Sequence, residues 1–177
     1  MIIEDLIERC EECRVVDKPY VKFEVYRKYL PDRVKILIIS ESPPPGDKED
    51  FIYNLNRKDR LRSTLSQIFN IDDNLIPSLL KKLRIFWTTA VKCRPIDKSY
   101  IERMRRKCLK ILKIEIDVLN PEYLIALGKV AWRSVEELNV GIPVVKHYHP
   151  LYLRRFMRDR LLDIKYIIFK ILNIHNL

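Results

Sequence analysis

Apolar residues recur along this chain with two different periods. Ile2, Ile3, Leu6, Ile7 and Cys10 fall at helical spacing and predict an amphipathic helix over residues 2 to 13. "VKILIIS" (34 to 40) is instead a short, continuous, β-branched run that breaks at "ESPPPGD", the pattern of a buried strand entering a loop. Residues 60 to 70 and 74 to 83 read as helices, and "RIFWTTAV" (84 to 91) as a second strand. A helix from Ser99 to about Leu119 leads to "PEYLIALG" (121 to 128), a third strand, then a helix over 129 to 138 and a fourth strand, "IPVVKHYHP" (142 to 150). The last helix is expected over about 156 to 173, burying Met157, Leu161, Ile164, Ile168 and Ile171 or Leu172.

Strands separated by helices predict an α/β fold of three layers, with a central four-stranded parallel sheet covered on both faces. The length and the lack of repeats or linkers predict one domain over 1–177. Ligands of such sheets bind at the carboxyl ends of the strands, so the stretches to interrogate are "SESPPPGD", "TTAVKCRP", "LGKVAW" and "HYHPLYLRR".

Charge narrows the partner. A formal net charge of +10 points to a polyanion, because Lys and Arg release counterions from phosphates whatever the base sequence. The positive charge is spread over the chain rather than gathered on one amphipathic helix, which favours nucleic acid over a membrane surface. No apolar run approaches the ~18 residues of a spanning helix, and the acidic start "MIIEDLIERC" is unlike a signal peptide. A cytoplasmic monomer is expected. A single glutamine, Gln67, and heavy use of Ile, Lys and Arg suit a thermophile.

In a reducing compartment, cysteines serve as core residues, metal ligands or catalytic groups more often than as disulfides. The chain has four. Cys10 and Cys13 fall on one face of the expected first helix, ~5–6 Å apart. Cys93 follows the second strand, and Cys108 lies on the apolar side of the next helix, opposite Arg103, Arg106, Lys107, Lys110 and Lys113. This spacing is not a common zinc pattern, whereas iron-sulfur clusters tolerate looser spacing. Spacing alone leaves ligation and unpaired core cysteines both open.

The order of these motifs resembles the uracil-DNA glycosylase superfamily, closest to its iron-sulfur-containing (family 4-like) thermophilic branch. The resemblance rests on "CEEC", "SESPPPG", "TAVKCRP", Cys108, "PEYLIALGKVA" and "HPLYLRR", in register over nearly the whole chain. It implies that Cys10, Cys13, Cys93 and Cys108 hold a structural 4Fe-4S cluster. It also implies a DNA repair enzyme that hydrolyses the N-glycosyl bond of a flipped base, uracil first among them. His149 would then donate a hydrogen bond to the departing base, and Glu41 would position water or the sugar, with Ser42 beside it. The plainer readings are a histidine that packs or caps a loop and a glutamate that is a polar loop residue. Phe51 or Tyr53 would stack on the base, unless both belong to the core. Leu151 with Tyr152 would fill the gap left in the duplex. Lys92, Arg94, Arg154 and Arg155 would meet DNA, the alternative for the arginine pair being a solvated surface.

Two departures from the family pattern bear on activity. Thr89 stands where relatives carry a base-reading asparagine, and one rotating hydroxyl reads a base edge less well than an amide. "SESPPP" replaces a glycine-containing motif, adding bulk and removing N–H donors. The alternative function is therefore a catalytically inactive iron-sulfur module of the same fold that binds DNA or RNA.

Overall fold

The computed structural model describes residues 2–47 and 49–174. Helix α1 (Ile2–Arg9) is followed by two short helices, α2 (Pro19–Lys22) and α3 (Val25–Tyr29), and by strand β1 (Ile36–Ser40). Next come α4 (Arg60–Phe69), α5 (Ile76–Lys82), β2 (Ile85–Thr89), α6 (Ile101–Leu119), β3 (Tyr123–Leu127), α7 (Lys129–Leu138), β4 (Val144–His147), α8 (Pro150–Phe156) and α9 (Asp163–Leu172).

The four strands form one all-parallel sheet in the order β2-β1-β3-β4, with helices on both sides. Ile36 pairs with Ile85 on one side and Tyr123 on the other, and Leu124 pairs with Val144. Every residue of β1 and β2 is buried, which is why both strands read as unbroken apolar runs. From β1 the chain goes outward to β2, then returns to place β3 on the other side of β1. A crevice opens at this reversal, at the carboxyl ends of β1 and β3.

The expected elements are present, but three boundaries differ. The first helix stops at Arg9, so Cys10 and Cys13 lie in the loop beyond it rather than on a helical face. Lys18 Nζ donates to the Cys10 carbonyl at 2.9 Å, placing a cation where the helix leaves carbonyls unpaired. The expected strand over 142 to 150 ends at His147, because His149 caps and Pro150 begins α8, where a missing N–H costs nothing. The expected helix over 156 to 173 is interrupted: Met157 leaves the helical region at φ −146°, and α9 buries Ile164 and Ile168. The short helices α2 and α3 carry too few residues for a periodic signal, and Glu24 separates them in a left-handed conformation at φ 51°.

The loop from β1 to α4 must bury much of its backbone, and three side chains satisfy it. Arg94 Nη1 donates to the carbonyls of Pro44 (2.8 Å) and Asp50 (3.1 Å). Arg62 donates to those of Asn54 (2.8 Å) and Arg57 (2.6 Å), and Asn54 Nδ2 to that of Glu49 (2.9 Å). Arg62 and Arg94 are both buried.

Candidate active site and cysteine cluster

A cavity of about 580 Å³ occupies the crevice at the carboxyl ends of the strands. Ser40, Glu41 and Ser42 reach it from the end of β1, Trp87 and Thr89 from β2, and Leu127 and Gly128 from β3. Gly128 turns the chain from β3 into α7 at φ 84°, a conformation that disfavours any side chain. Pro43, Pro44, Pro45, Asp50 and Phe51 form the loop wall, and His149, Leu151 and Tyr152 close the side beyond β4.

His149 is fixed in one tautomer. Its Nδ1 accepts from Leu151 N–H at 3.2 Å, capping α8, so the neutral ring carries its proton on Nε2. Burial pushes its pKa down to about 4, because a charged imidazolium would lose hydration there. Trp87 meets the ring edge-on, with centroids 6.4 Å apart, and is itself held by Nε1 donating to Ser40 Oγ at 3.0 Å. The loop-capping and wall-lining readings of His149 are thus compatible: the cap aims the ring.

Glu41 is half-buried, and burial pushes its carboxyl up, opposed by the cation of Lys98 on the same cavity. Ser42 turns its hydroxyl onto the Pro43 carbonyl at 2.9 Å. Thr89 Oγ1 donates to the Val91 carbonyl at 2.7 Å, so the face left to a ligand is an acceptor. The two aromatic candidates separate. Phe51 lines the cavity, whereas Tyr53 lies behind it with its hydroxyl donating to the Trp87 carbonyl at 2.9 Å.

Two expected DNA contacts are overturned. Lys92 is buried, ion-paired with the equally buried Glu115 and donating to Thr88 Oγ1 (2.6 Å) and the Thr89 carbonyl (2.7 Å). Arg94, also buried, pairs with Asp17 Oδ1 at 2.9 Å and holds the proline loop. A phosphate reaches neither. Arg154 is half-buried and donates to Thr64 Oγ1 at 3.1 Å, while Arg155 is exposed. Leu151 lies at the cavity rim.

Sequence reasoning missed Trp87, Tyr20, Asp50, Asp59 and Lys98 on the cavity wall. Trp87 carried a usable signal, an aromatic with a polar tip near the carboxyl end of a strand. Tyr20, in a helix of four residues, carried none. Asp59 was legible as a helix cap: it accepts from Arg62 N–H at 2.7 Å.

The cysteines lie at another place in the fold. Cys93 and Cys108 are buried, and Cys10 and Cys13 partly so. Burial pushes the Cys93 thiol up to about 12, and Cys108, Cys10 and Cys13 add to the shift. The loop carrying Cys10 and Cys13 is tied to α6 through Glu12, whose carbonyl accepts from Lys107 at 2.7 Å and whose carboxylate pairs with Lys107 and Lys110 at 3.2 Å. These cations of the basic helix thus serve the protein itself. Among the described residues, no group of three or more His, Cys, Asp or Glu is arranged for a single metal ion. Four cysteines are the donor type that a 4Fe-4S cluster takes as thiolates, and all four are free.

Over residues 27–168 the chain matches the family model of the Uracil DNA glycosylase superfamily, and it belongs to that superfamily. Membership carries a DNA-glycosylase type of function with DNA as the partner. The match includes Cys93, Cys108 and His149 and begins after Cys10 and Cys13. A search of curated proteins found no match.

Proposed function

We propose that the chain is a monofunctional DNA glycosylase that flips a damaged base, uracil first among the candidates, into the cavity between β1 and β3. The observation that carries this reading is His149, a neutral ring with Nδ1 occupied by Leu151 N–H and Nε2–H free for a ligand on the cavity wall. As the bond from C1′ to the base nitrogen breaks, its electron pair leaves with the base. Nε2–H donates to the base oxygen where that charge gathers. A neutral donor suits this task, since it binds the anion without first giving up a proton. Glu41, its carboxyl made more basic by burial, accepts the proton of the water that adds to C1′. Phe51 is the ring a flipped base meets, and the Thr89 acceptor faces an N–H of the base edge. The four cysteines would hold a 4Fe-4S cluster, which would supply a structural tie between the N-terminal loop, the loop after β2 and α6.

The test begins with protein purified without oxygen, in which iron and acid-labile sulfide are measured. Oligonucleotides carrying uracil, hypoxanthine, xanthine or oxidised bases are then incubated with it, and abasic sites are cleaved. Shortened strands are expected from at least one base, with His149→Ala slowing release on the order of 10²-fold or more. Intact strands throughout, with DNA bound, would assign the chain to an inactive DNA- or RNA-binding module. Stoichiometric zinc in a colourless, folded protein would overturn the cluster.

A further inference from the structure

An exposed aromatic row meets the cavity at Tyr152. Tyr148, Tyr152 and Phe156 recur four residues apart, and their rings form a continuous ladder, with Tyr148 just before α8, the other two on it, and the middle ring lining the cavity. Tyr148 and Tyr152 lie nearly parallel (19°) with centroids 5.3 Å apart, a separation that offsets the rings and leaves parts of both faces open. Tyr152 and Phe156 follow at 4.9 Å. Exposure rises along the row, from 39% at Tyr148 and 45% at Tyr152 to 61% at Phe156. Single exposed aromatics are ordinary, but three in contact, joined to a ligand cavity, are not.

Arginines are interleaved with these rings. Arg155 lies 5.0 Å over Phe156 and Arg160 lies 5.9 Å over Tyr148. Arg158, exposed, adds a further cation at the end of α8. Aromatic faces alternating with cations match one chemistry closely: bases that stack and phosphates that follow. A duplex offers its bases only as edges in the grooves, whereas a single strand offers their faces.

We infer that the Tyr148–Tyr152–Phe156 ladder is a binding track for single-stranded DNA, which seats the nucleotides flanking the base delivered to the cavity. The inference rests on the glycosylase reading of that cavity and makes its substrate an unpaired strand. Tyr152, at the rim, is the hinge between track and cavity. Tyr148 and Phe156 lie outside the cavity lining and make no contact with a base in it.

The test measures binding of undamaged oligothymidine and of a duplex of equal length by fluorescence anisotropy, in wild type, Tyr148→Ser/Phe156→Ser and Phe156→Leu. The double variant is expected to lose about tenfold or more in affinity for the single strand and less than twofold for the duplex. Phe156→Leu keeps apolar bulk at the most exposed rung while removing the ring, so it is expected to lose about fivefold for the single strand with an unchanged melting temperature. Equal losses on both forms, or no loss on the single strand, overturn the track, as does tighter binding to RNA of the same sequence or a self-association that the substitutions abolish without affecting strand binding. Because these oligonucleotides carry no damaged base, the result is independent of excision. A ring-dependent single-strand preference without base release keeps the track and removes the glycosylase; base release without that preference does the reverse.

Discussion

Two groups of basic side chains in this protein have the same chemistry and opposite employment. Lys92, Arg94 and Arg62 are buried, and they are held by Glu115, Asp17 and the carbonyls of the loop from β1 to α4, with Arg62 Nε and Arg94 Nη2 left without a hydrogen-bond partner among the described residues. Arg155 and Arg158, by contrast, stand exposed beside the aromatic ladder. The formal charge of +10 counts both groups alike. Only the second can release counterions from a phosphate; the first builds the cavity. Burial of a cation commits it to an internal partner, since an unpaired buried charge costs several kcal/mol.

The comparison breaks most sharply at Lys92. Lys92→Met removes the cation from the buried Glu115 carboxyl and leaves it Thr88 (2.9 Å) and Tyr26 (2.6 Å) as donors among the described residues. A loss of about 3–5 kcal/mol is expected in urea unfolding, and adding Glu115→Leu is expected to recover most of it. The exposed arginines are expected to behave in the opposite sense. Arg155→Gln with Arg158→Gln should change stability by less than about 0.5 kcal/mol while flattening the dependence of log affinity on log salt by about two units on DNA titrations.

Lys98 sharpens the comparison with the smallest effect, because it lies at the cavity and acts through a neighbour. Its cation favours the charged form of Glu41 and so lowers a carboxyl that burial has raised. Removing the cation in Lys98→Met lets that pKa rise further. If Glu41 takes up the proton in base release, the acid limb of the rate profile moves to higher pH. The pH profile measures this directly. His149 does not contribute to that limb near neutrality, since its pKa of about 4 keeps it neutral there.

What the sequence made legible follows from how local each signal is. The strands stood out because both faces are buried and the apolar run is continuous, as in Ile36–Ser40. The motifs after the strands were legible for a topological reason: a parallel sheet brings its carboxyl ends together, so Glu41, Thr89 and His149 reach one cavity from three strands. The direction of a side chain was not legible. Lys92 reads as a surface cation until it is known that Glu115, 23 residues away, faces it, and Arg94 until Asp17, 77 residues away, does. The short helices α2 and α3 were invisible for want of length, and with them Tyr20. The pair His149 and Pro150 could have been read as a helix start, because a capping side chain before a proline is that signal, yet the apolar run "IPVV" drew the strand too far.

The proline loop carries a consequence for binding. Pro43, Pro44 and Pro45 each fix one backbone torsion, and Arg94 and Arg62 hold the carbonyls around them. Much of the freedom that a loop of this length would otherwise surrender to a ligand is therefore already gone before the ligand arrives. Association with such a wall is expected to show a small entropic penalty and little dependence on loop closure, and its rate to be set by how the incoming nucleotide leaves its own stack rather than by any rearrangement of the protein.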